Sequence, residues 1–375
     1  MSLQQNNLYM AMELSKKNWR LSFSDGTKQR QKTIVAGDAY NLKEQISIAK
    51  KRFGLPEDSK VISCYEAGRD GFWIHRLLTH IGVQNTIIDP SSIEVSRRAR
   101  ICKTDRLDAC RLLDLLLRDK CYGLGRPYSV VAVPSIEDED RMRINRDRQR
   151  LLKERGAHLA RLRSLYATQA AGDVNFRKLK DASELRKWNG EKLGANLRAE
   201  MQRELCRLWV VEEQIKELEE LQKKLLIEAK NFADQKAAKL LLLKGVGPQT
   251  ALLLSHELLA WRYFANRKKL WSFLGMTGTP YSSGDSIREQ GISKSGSARL
   301  RTAMIELAWM WVRYQPDNEL TKWFDNRIIA GGARAKRKSI VALARKLVVA
   351  LWKYVEFDED PVGAKFKKGS CSNVY

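Results

Sequence analysis

Asp105 and Asp108, in the segment Lys103-Thr-Asp-Arg-Leu-Asp-Ala109, are three residues apart. On a helix that spacing puts both carboxylates on one face, a turn apart. Two more acids, Glu13 and Glu66, each follow an apolar run of β character. Four carboxylates in this order make an all-oxygen donor set, which suits a hard divalent cation, magnesium or alternatively manganese. The chemistry this points to is metal-dependent work on nucleic-acid phosphates. Each acid taken singly also has a plainer role. Glu13 and Glu66 can cap strand ends or pair with lysines, and Asp105 suits a helix N-terminus through the helix dipole. Lys103 and Arg106 either position phosphates or balance the carboxylates. His75, His80, His158 and His256 show no ligand spacing and read as structural or surface residues.

The acids stand out against a basic background. The 375 residues carry 68 Lys and Arg against 44 Asp and Glu, a formal charge of +24. That excess implies a polyanionic partner. An anionic membrane is the rival, but no apolar run approaches the roughly 20 residues needed to span a bilayer. The N-terminus lacks the charged start and apolar stretch of a secretory signal. Six cysteines are scattered without a CxxC pair, so neither a zinc site nor a disulfide framework is indicated and a reducing cytoplasm is expected. A hydrophobic share of 43% is that of an ordinary folded chain, and the length implies two or three domains.

The elements that must position these residues follow from periodicity. Residues 8–14 form an apolar run, residues 18–23 alternate with period two, and Ser24-Asp-Gly26 marks a turn. Further strands are expected at 32–35, 60–65 and 85–89, with helices at 41–52, 71–81 and 105–118. This hairpin followed by alternating helices and strands indicates an α/β domain. A long basic helix is expected from about 136 to 170; between Arg141 and Arg163 it holds nine basic residues and two acids, which favours nucleic-acid contact. After a break at 172–194, a second arm at 197–230 spaces Leu208, Val211, Ile215, Leu218, Gln222 and Leu225 as a coiled-coil seam. A helical hairpin results, serving as a spacer, in subunit pairing or in nucleic-acid contact.

Beyond Leu240 the chain reads as globular and mainly helical. In Leu243-Lys-Gly-Val-Gly-Pro248, Gly245 and Gly247 have the look of a helix-hairpin-helix turn whose backbone can approach a phosphate, or of a tight turn between packed helices. Residues 297–314 are expected to form an apolar helix with Trp309 and Trp311 in the core. Residues 333–353 hold seven basic residues and no acid, with Leu343, Leu347 and Leu351 as the buried stripe. Arg334, Lys336, Arg337 and Lys338 head this helix as candidate phosphate contacts, joined by Lys294 upstream. The last fifteen residues read as a loose tail.

The segments MELSKK (12–17), YEAG (65–68), KTDRLDA (103–109), GVGPQTA (245–251), YSSG (281–284) and GISKSGSARLR (291–301) occur in this order. Together they resemble the bridge-RNA-guided insertion-sequence transposases of the IS-one-ten family, relatives of the Piv-type DNA invertases. EAGRDGFW (66–73) and the length of the helical insertion are similar to the IS-eleven-eleven-like subgroup. The resemblance implies an RNase H-like (RuvC-like) domain at 1–132 supplying Glu13, Glu66, Asp105 and Asp108. It further implies a coiled-coil hairpin at 133–235, a C-terminal transposase domain at 236–356 and a tail at 357–375. In that C-terminal domain the serine before the glycine, Ser283, corresponds to a nucleophile; by spacing alone it reads as a turn serine in a polar loop, with Ser282, Ser286, Ser293 and Ser295 as nearby competitors. Glu13 departs from the pattern, which has aspartate there, and adds a methylene between backbone and ligand oxygens.

The resulting expectation is α/β plus α architecture and an RNA-guided DNA recombinase. It would use magnesium and a covalent serine–DNA intermediate, with donor and target DNA and a structured bridge RNA as partners. A homo-oligomer, dimer to tetramer, is expected in a bacterial or archaeal cytoplasm beside the nucleoid. Two alternatives stay open: a RuvC-like nuclease that hydrolyses branched DNA with water, and a non-catalytic nucleic-acid-binding derivative.

Overall fold

A computed structural model describes residues 6–68, 71–93, 105–169, 172–283, 286–329 and 331–367, without the side chains of Asp105, 280–290 and 332–334. The chain divides into two compact units, Met1–Val133 and Pro134–Tyr375.

The first unit is a mixed five-stranded sheet with helices on both faces. Strands β1 (Leu8–Leu14), β2 (Asn18–Ser24) and β3 (Gln29–Val35) form an antiparallel meander. After helix α1 (Ala39–Phe53), strand β4 (Val61–Glu66) pairs parallel to β1; after α2 (Trp73–His80), β5 (Gln84–Ile88) pairs parallel to β4. The order across the sheet is β3-β2-β1-β4-β5. The β2–β3 turn is set by Asp25, whose carboxylate accepts from the backbone N–H groups of Thr27 and Lys28. Helix α1 starts at Asp38, which accepts from Asn41 N–H, and stops at left-handed Gly54.

Strand alternation sorts the core into two layers. Met10, Met12, Trp19, Leu21, Phe23 and Tyr65 pack with Leu42 and Ile46 of α1 and Ile74 and Leu78 of α2. On the opposite face, Tyr9, Ala11, Cys64 and Ile88 pack under Leu112, Leu113, Leu116 and Leu117 of α3 (Asp105–Lys120). The strands and helices expected from periodicity are all present here, with ends shifted by a few residues.

The second unit begins with the helical hairpin, α4 (Ile136–Ala167) and α5 (Ala195–Glu228). Arg148 pairs with Glu219 at 2.5 Å, Gln222 donates to Asn145 at 2.9 Å, and Arg155 faces Glu212 at 3.7 Å. The two residue numbers in each pair sum to one value, the signature of a regular antiparallel register. Leu151, Val211 and Ile215 form the apolar seam between these polar rungs. The seam differs in detail from its sequence reading: Leu218 and Leu225 are only partly buried, and Leu226 takes the inward position. The tip at 172–194 is more than a turn, because Phe176, Ala182, Leu185 and Leu193 form a core with Leu162, Met201, Leu205 and Leu208.

The remaining chain is helical around one core. It comprises α6 (Phe232–Leu241), α7 (Pro248–Leu254), a π turn at Ser255–Leu259, α8 (Arg267–Phe273), α9 (Ala298–Tyr314), α10 (Glu319–Ile329) and α11 (Gly332–Phe357). Between α8 and α9 lies a two-stranded hairpin, β6 (Gly278–Ser283) and β7 (Ser286–Ile292). Leu343, Leu347 and Leu351 are fully buried, as their stripe predicts. Two expectations are overturned. Trp311 is buried and donates its N–H to Asn318, but Trp309 is 37% exposed, because its position in α9 faces out toward Lys336. The tail is not loose as far as Lys367. Lys244 N–H donates to Lys365, Lys367 N–H donates to Leu242, and Phe366 packs on the core; backbone pairing holds what composition alone leaves unstructured.

Candidate active site

Three of the four acids converge on one face of the first unit. Glu13 continues the Tyr9–Ala11 row of β1, and Glu66 continues the Ile62–Cys64 row of β4, so both lie on the side covered by α3. The β1–β4 pairing runs up to Met12 with Tyr65, which makes Glu13 and Glu66 neighbours at the C-terminal edge of parallel strands. Helix α3 runs antiparallel to β1. The Tyr9 hydroxyl donates to Lys120 O at 3.4 Å, while the Cys64 thiol, in register with Ala11, donates to Leu112 O at 3.5 Å. Two residues up the strand from that level is about 7 Å, and one turn back along the helix is about 6 Å. Asp108 therefore stands level with Glu13 and Glu66, on the stripe shared with Leu112 and Leu116. Asp105 opens the same helix one turn earlier; its side chain is outside the description, and Lys103 falls outside the described residues altogether.

The ground beneath these acids is buried and neutral. Burial pushes the Tyr9 hydroxyl up to about 12 and raises the Cys64 thiol well above its ordinary value. Among the described residues, this face carries a cation that sequence reading passed over. Arg20 on β2 is in register with Glu13, donates to Thr33 Oγ1 at 3.0 Å, and keeps a buried Nε without a hydrogen-bond partner among the described residues. Its signal in the sequence is a charged residue alternating with Trp19 and Leu21, whose side chains occupy the other face. Arg106 is exposed, and its carbonyl accepts from Gln31 at 3.3 Å. Among the described residues no three His, Cys, Asp or Glu side chains are gathered closely enough to enclose a metal ion. The donor set itself, all carboxylate and set at the edge of a sheet over an apolar floor, fits a hard divalent cation.

Ser283 is the last paired residue of β6 and faces Ser286 of β7; Ser282 pairs with Ile287. The polar segment expected as a loop is thus a β hairpin whose far end carries the serine. At its base, Lys294 is exposed and left-handed, with φ +58°. Gly245 is also left-handed, and a Cβ there would meet Met310 O at 3.3 Å, so close packing against α9 accounts for this glycine. Gly247 caps α7 with open space around it. Lys336, Arg337 and Lys338 are exposed on α11, and Lys336 lies over the Trp309 ring at 5.6 Å; the Arg334 side chain is outside the description.

The arginines of α4 have a different fate from the one their density suggests. Arg141, Arg143, Arg146, Arg148, Arg150, Arg155 and Arg161 all face carboxylates. Arg148, Arg155 and Arg161 knit α4 to α5, Arg141, Arg143 and Arg150 pair within α4, and together they lower the free positive charge of this arm. A second buried polar group also escapes a reading of the sequence. His256 and Asp234 pair at 2.9 Å, both almost wholly buried. Next to them Glu257 faces Arg299 at 2.8 Å and Arg146 at 3.8 Å. Burial lowers His256 and raises Glu257 relative to their ordinary values.

Comparison with known proteins places these features. The family described as "Transposase IS116/IS110/IS902 family" matches residues 237–325, the stretch from α6 through the serine hairpin into α10. "Putative transposase y4rJ" of Sinorhizobium fredii is 39% identical over 364 residues, covering 93% of this chain and 91% of that protein. A second protein of that organism, "Putative transposase y4qE", is 26% identical over 78% of this chain and 74% of its own length. The "Transposase for insertion sequence element IS1533" of Leptospira borgpetersenii is 26% identical over 39% of this chain and 42% of its own. Identity sustained along nearly the whole of both chains, together with the matched C-terminal segment, shows that the chain belongs to the IS116/IS110/IS902 family of transposases.

Proposed function

We propose that this transposase moves its insertion sequence by RNA-guided DNA strand exchange through a covalent bond between Ser283 and DNA. The observation that carries the reading is the acid face: Glu13, Glu66 and Asp108 at one level beneath and beside α3, with Asp105 a turn away. The order β3-β2-β1-β4-β5, with an antiparallel meander followed by parallel strands, supports an RNase H-like fold for the first unit. These four acids would hold magnesium or manganese, and a bound cation would lower the barrier by offsetting charge on the phosphate.

The serine's part is nucleophilic. Its hydroxyl oxygen bonds to a DNA phosphorus, the bond from phosphorus to one sugar oxygen breaks, the serine loses its proton and the departing oxygen gains one. The phosphoserine ester conserves the phosphodiester bond energy, so a second DNA hydroxyl can displace the serine without a high-energy cofactor. The acids and Ser283 are each required for strand exchange. Arg20, in register with Glu13, limits repulsion among the carboxylates before a phosphate arrives.

DNA is the partner that a transposase requires. Lys294, Lys336, Arg337 and Lys338, exposed on the second unit, support contacts to phosphates of DNA and of a structured guide RNA. Apolar side chains exposed on α5, Val210 at 59% and Ile227 at 83%, support pairing of two or more copies. Among the described residues no helix is long and apolar enough to cross a membrane, in keeping with work beside the nucleoid in a bacterial or archaeal cytoplasm.

The test is strand exchange by the full chain with its own insertion-sequence DNA and transcripts, titrated with magnesium. Asp108→Asn should abolish exchange at every magnesium concentration while leaving circular dichroism and RNA retention unchanged. Full activity in that variant would remove the acid face from the mechanism. Cleavage of branched DNA without exchange would favour the water-using nuclease.

A further inference from the structure

The hairpin that ends in Ser283 is anchored by an unusually close approach of two backbone segments. Gly275, just after α8, is left-handed at φ +63°, and a Cβ built on it would lie 2.6 Å from Gly296 N and 2.6 Å from an Arg301 guanidinium nitrogen. Gly296 is tighter still, since its Cβ would fall 2.2 Å from Phe273 O and 2.3 Å from Gly275 N. Neither position accommodates a side chain. The junction is laced by backbone bonds: Lys294 N–H to Gly275 O at 3.0 Å, Ser297 N–H to Phe273 O at 2.9 Å and Ser293 N–H to Thr277 O at 2.9 Å. Arg301, one turn into α9, donates one nitrogen to Leu274 O at 3.0 Å and to Lys294 O at 3.4 Å, bridging both strands of the knot. Leu274, Met276 and Leu300 root it in the core.

From this base the two strands leave side by side, beginning with the pair Gly278–Ile292. Five residue steps separate Gly278 from Ser283, an arm of about 17 Å. A tilt of about 10° at the base would move the far end by roughly 3 Å, whereas a misplacement of about 1 Å can cost a reaction a hundredfold. Among the described residues of 274–297, the knot is the part of this arm tied into the hydrophobic core. We propose that Gly275, Gly296 and Arg301 are positioning residues for Ser283, holding the base of its hairpin at the angle that nucleophilic attack requires. This rests on Ser283 being the nucleophile, and it gives a physical reason for glycine and arginine in the segment GISKSGSARLR.

The test uses a cross-link to replace the arginine. Thr277 and Ser293 face each other across the base, with their hydroxyl oxygens 3.2 Å apart. Thr277→Cys with Ser293→Cys should therefore form a disulfide on oxidation, verified by mass spectrometry. The readout is the covalent protein–DNA adduct formed by the full chain on a labelled fragment of its own insertion-sequence end, resolved on a denaturing gel. Arg301→Ala should reduce the adduct about a hundredfold while retaining bound nucleic acid. Adding the cysteine pair should restore it when oxidised, and dithiothreitol should abolish it again. Undiminished adduct in Arg301→Ala overturns the proposal, as does a verified cross-link that restores nothing. Failure of the cysteines to pair overturns the geometry on which it stands. A Ser283→Ala arm run alongside separates the premise: an adduct persisting there refutes the nucleophile, whatever Arg301 does.

Discussion

Glu13 is the residue at which this chain departs from the pattern it otherwise resembles. The strand pairing places it beside Glu66, on the sheet face covered by α3, and its side chain is one methylene longer than the aspartate of that pattern; the proposal makes it a ligand. Glu13→Asp should keep or raise strand exchange, and Glu13→Ala should lower it at least a hundredfold; a fully active alanine variant would mean that another residue fills this position. His256 makes a prediction of a different kind. Burial holds its ring below the ordinary histidine value of about 6.5, while Asp234 opposes that shift. A base with a depressed folded value contributes stability that is complete above the unfolded value and is lost as pH falls through the folded one. Glu257, raised by burial, has the opposite sign and contributes most below its ordinary range. The His256 part of the melting profile between pH 7.5 and 5.5 should therefore fall with pH, by at most about 1.4 kcal/mol per pH unit for one proton, while Glu257 opposes it. His256→Gln should reduce that slope, leaving the part due to His75, which burial also lowers. An unchanged slope would show that His256 does not titrate differently on folding.

At the scale of elements, the α4–α5 hairpin is held by polar rungs as much as by its apolar seam. Glu204 is 1% exposed and gathers His158, Arg161 and Arg207 at 2.7–2.8 Å. Glu204→Ala removes their common partner and should destabilise the second unit by about 1–3 kcal/mol, because the two arginines can turn to water while His158 stays mostly covered. Denaturant unfolding would measure it, and a change below a few tenths of a kcal/mol would mean that the seam alone sets the register. This element also shows why some structure is legible in the sequence and some is not. Helix lengths and the inward leucines follow from local periodicity, as do β1, β4 and α3 with their acids. The cross-hairpin partners of Arg148, Arg155 and Arg161 do not, because the glutamates that meet them lie some 40 to 70 residues away along the chain. Likewise the Gly275–Gly296 knot joins two segments whose glycines look like ordinary turn signals, and the serine hairpin has too few apolar residues to announce its strands. The order of the tail is hidden for the same reason, since it comes from pairing with Leu242–Lys244.

For the whole molecule, the net charge of +24 is distributed unevenly. Much of it on α4 is neutralised internally, whereas Lys336, Arg337 and Lys338 stay exposed. Replacing these three and Arg334 with glutamine should weaken nucleic-acid binding and reduce the slope of log affinity against log salt. The reduction should reach about 0.9 for each duplex phosphate that the protein no longer neutralises. An unchanged slope would make the cluster a solvated face. The acid face and the serine hairpin belong to separate compact units, and the central claim of the proposal is that strand exchange passes through a Ser283–DNA bond and needs the acids. The measurement that bears on it most directly is peptide mapping of the protein–DNA adduct trapped during strand exchange. The expected result is DNA attached to Ser283, absent in Ser283→Ala and absent in Asp108→Asn. DNA attached to Ser282 or any other residue, or exchange proceeding with no adduct at all, would contradict the claim.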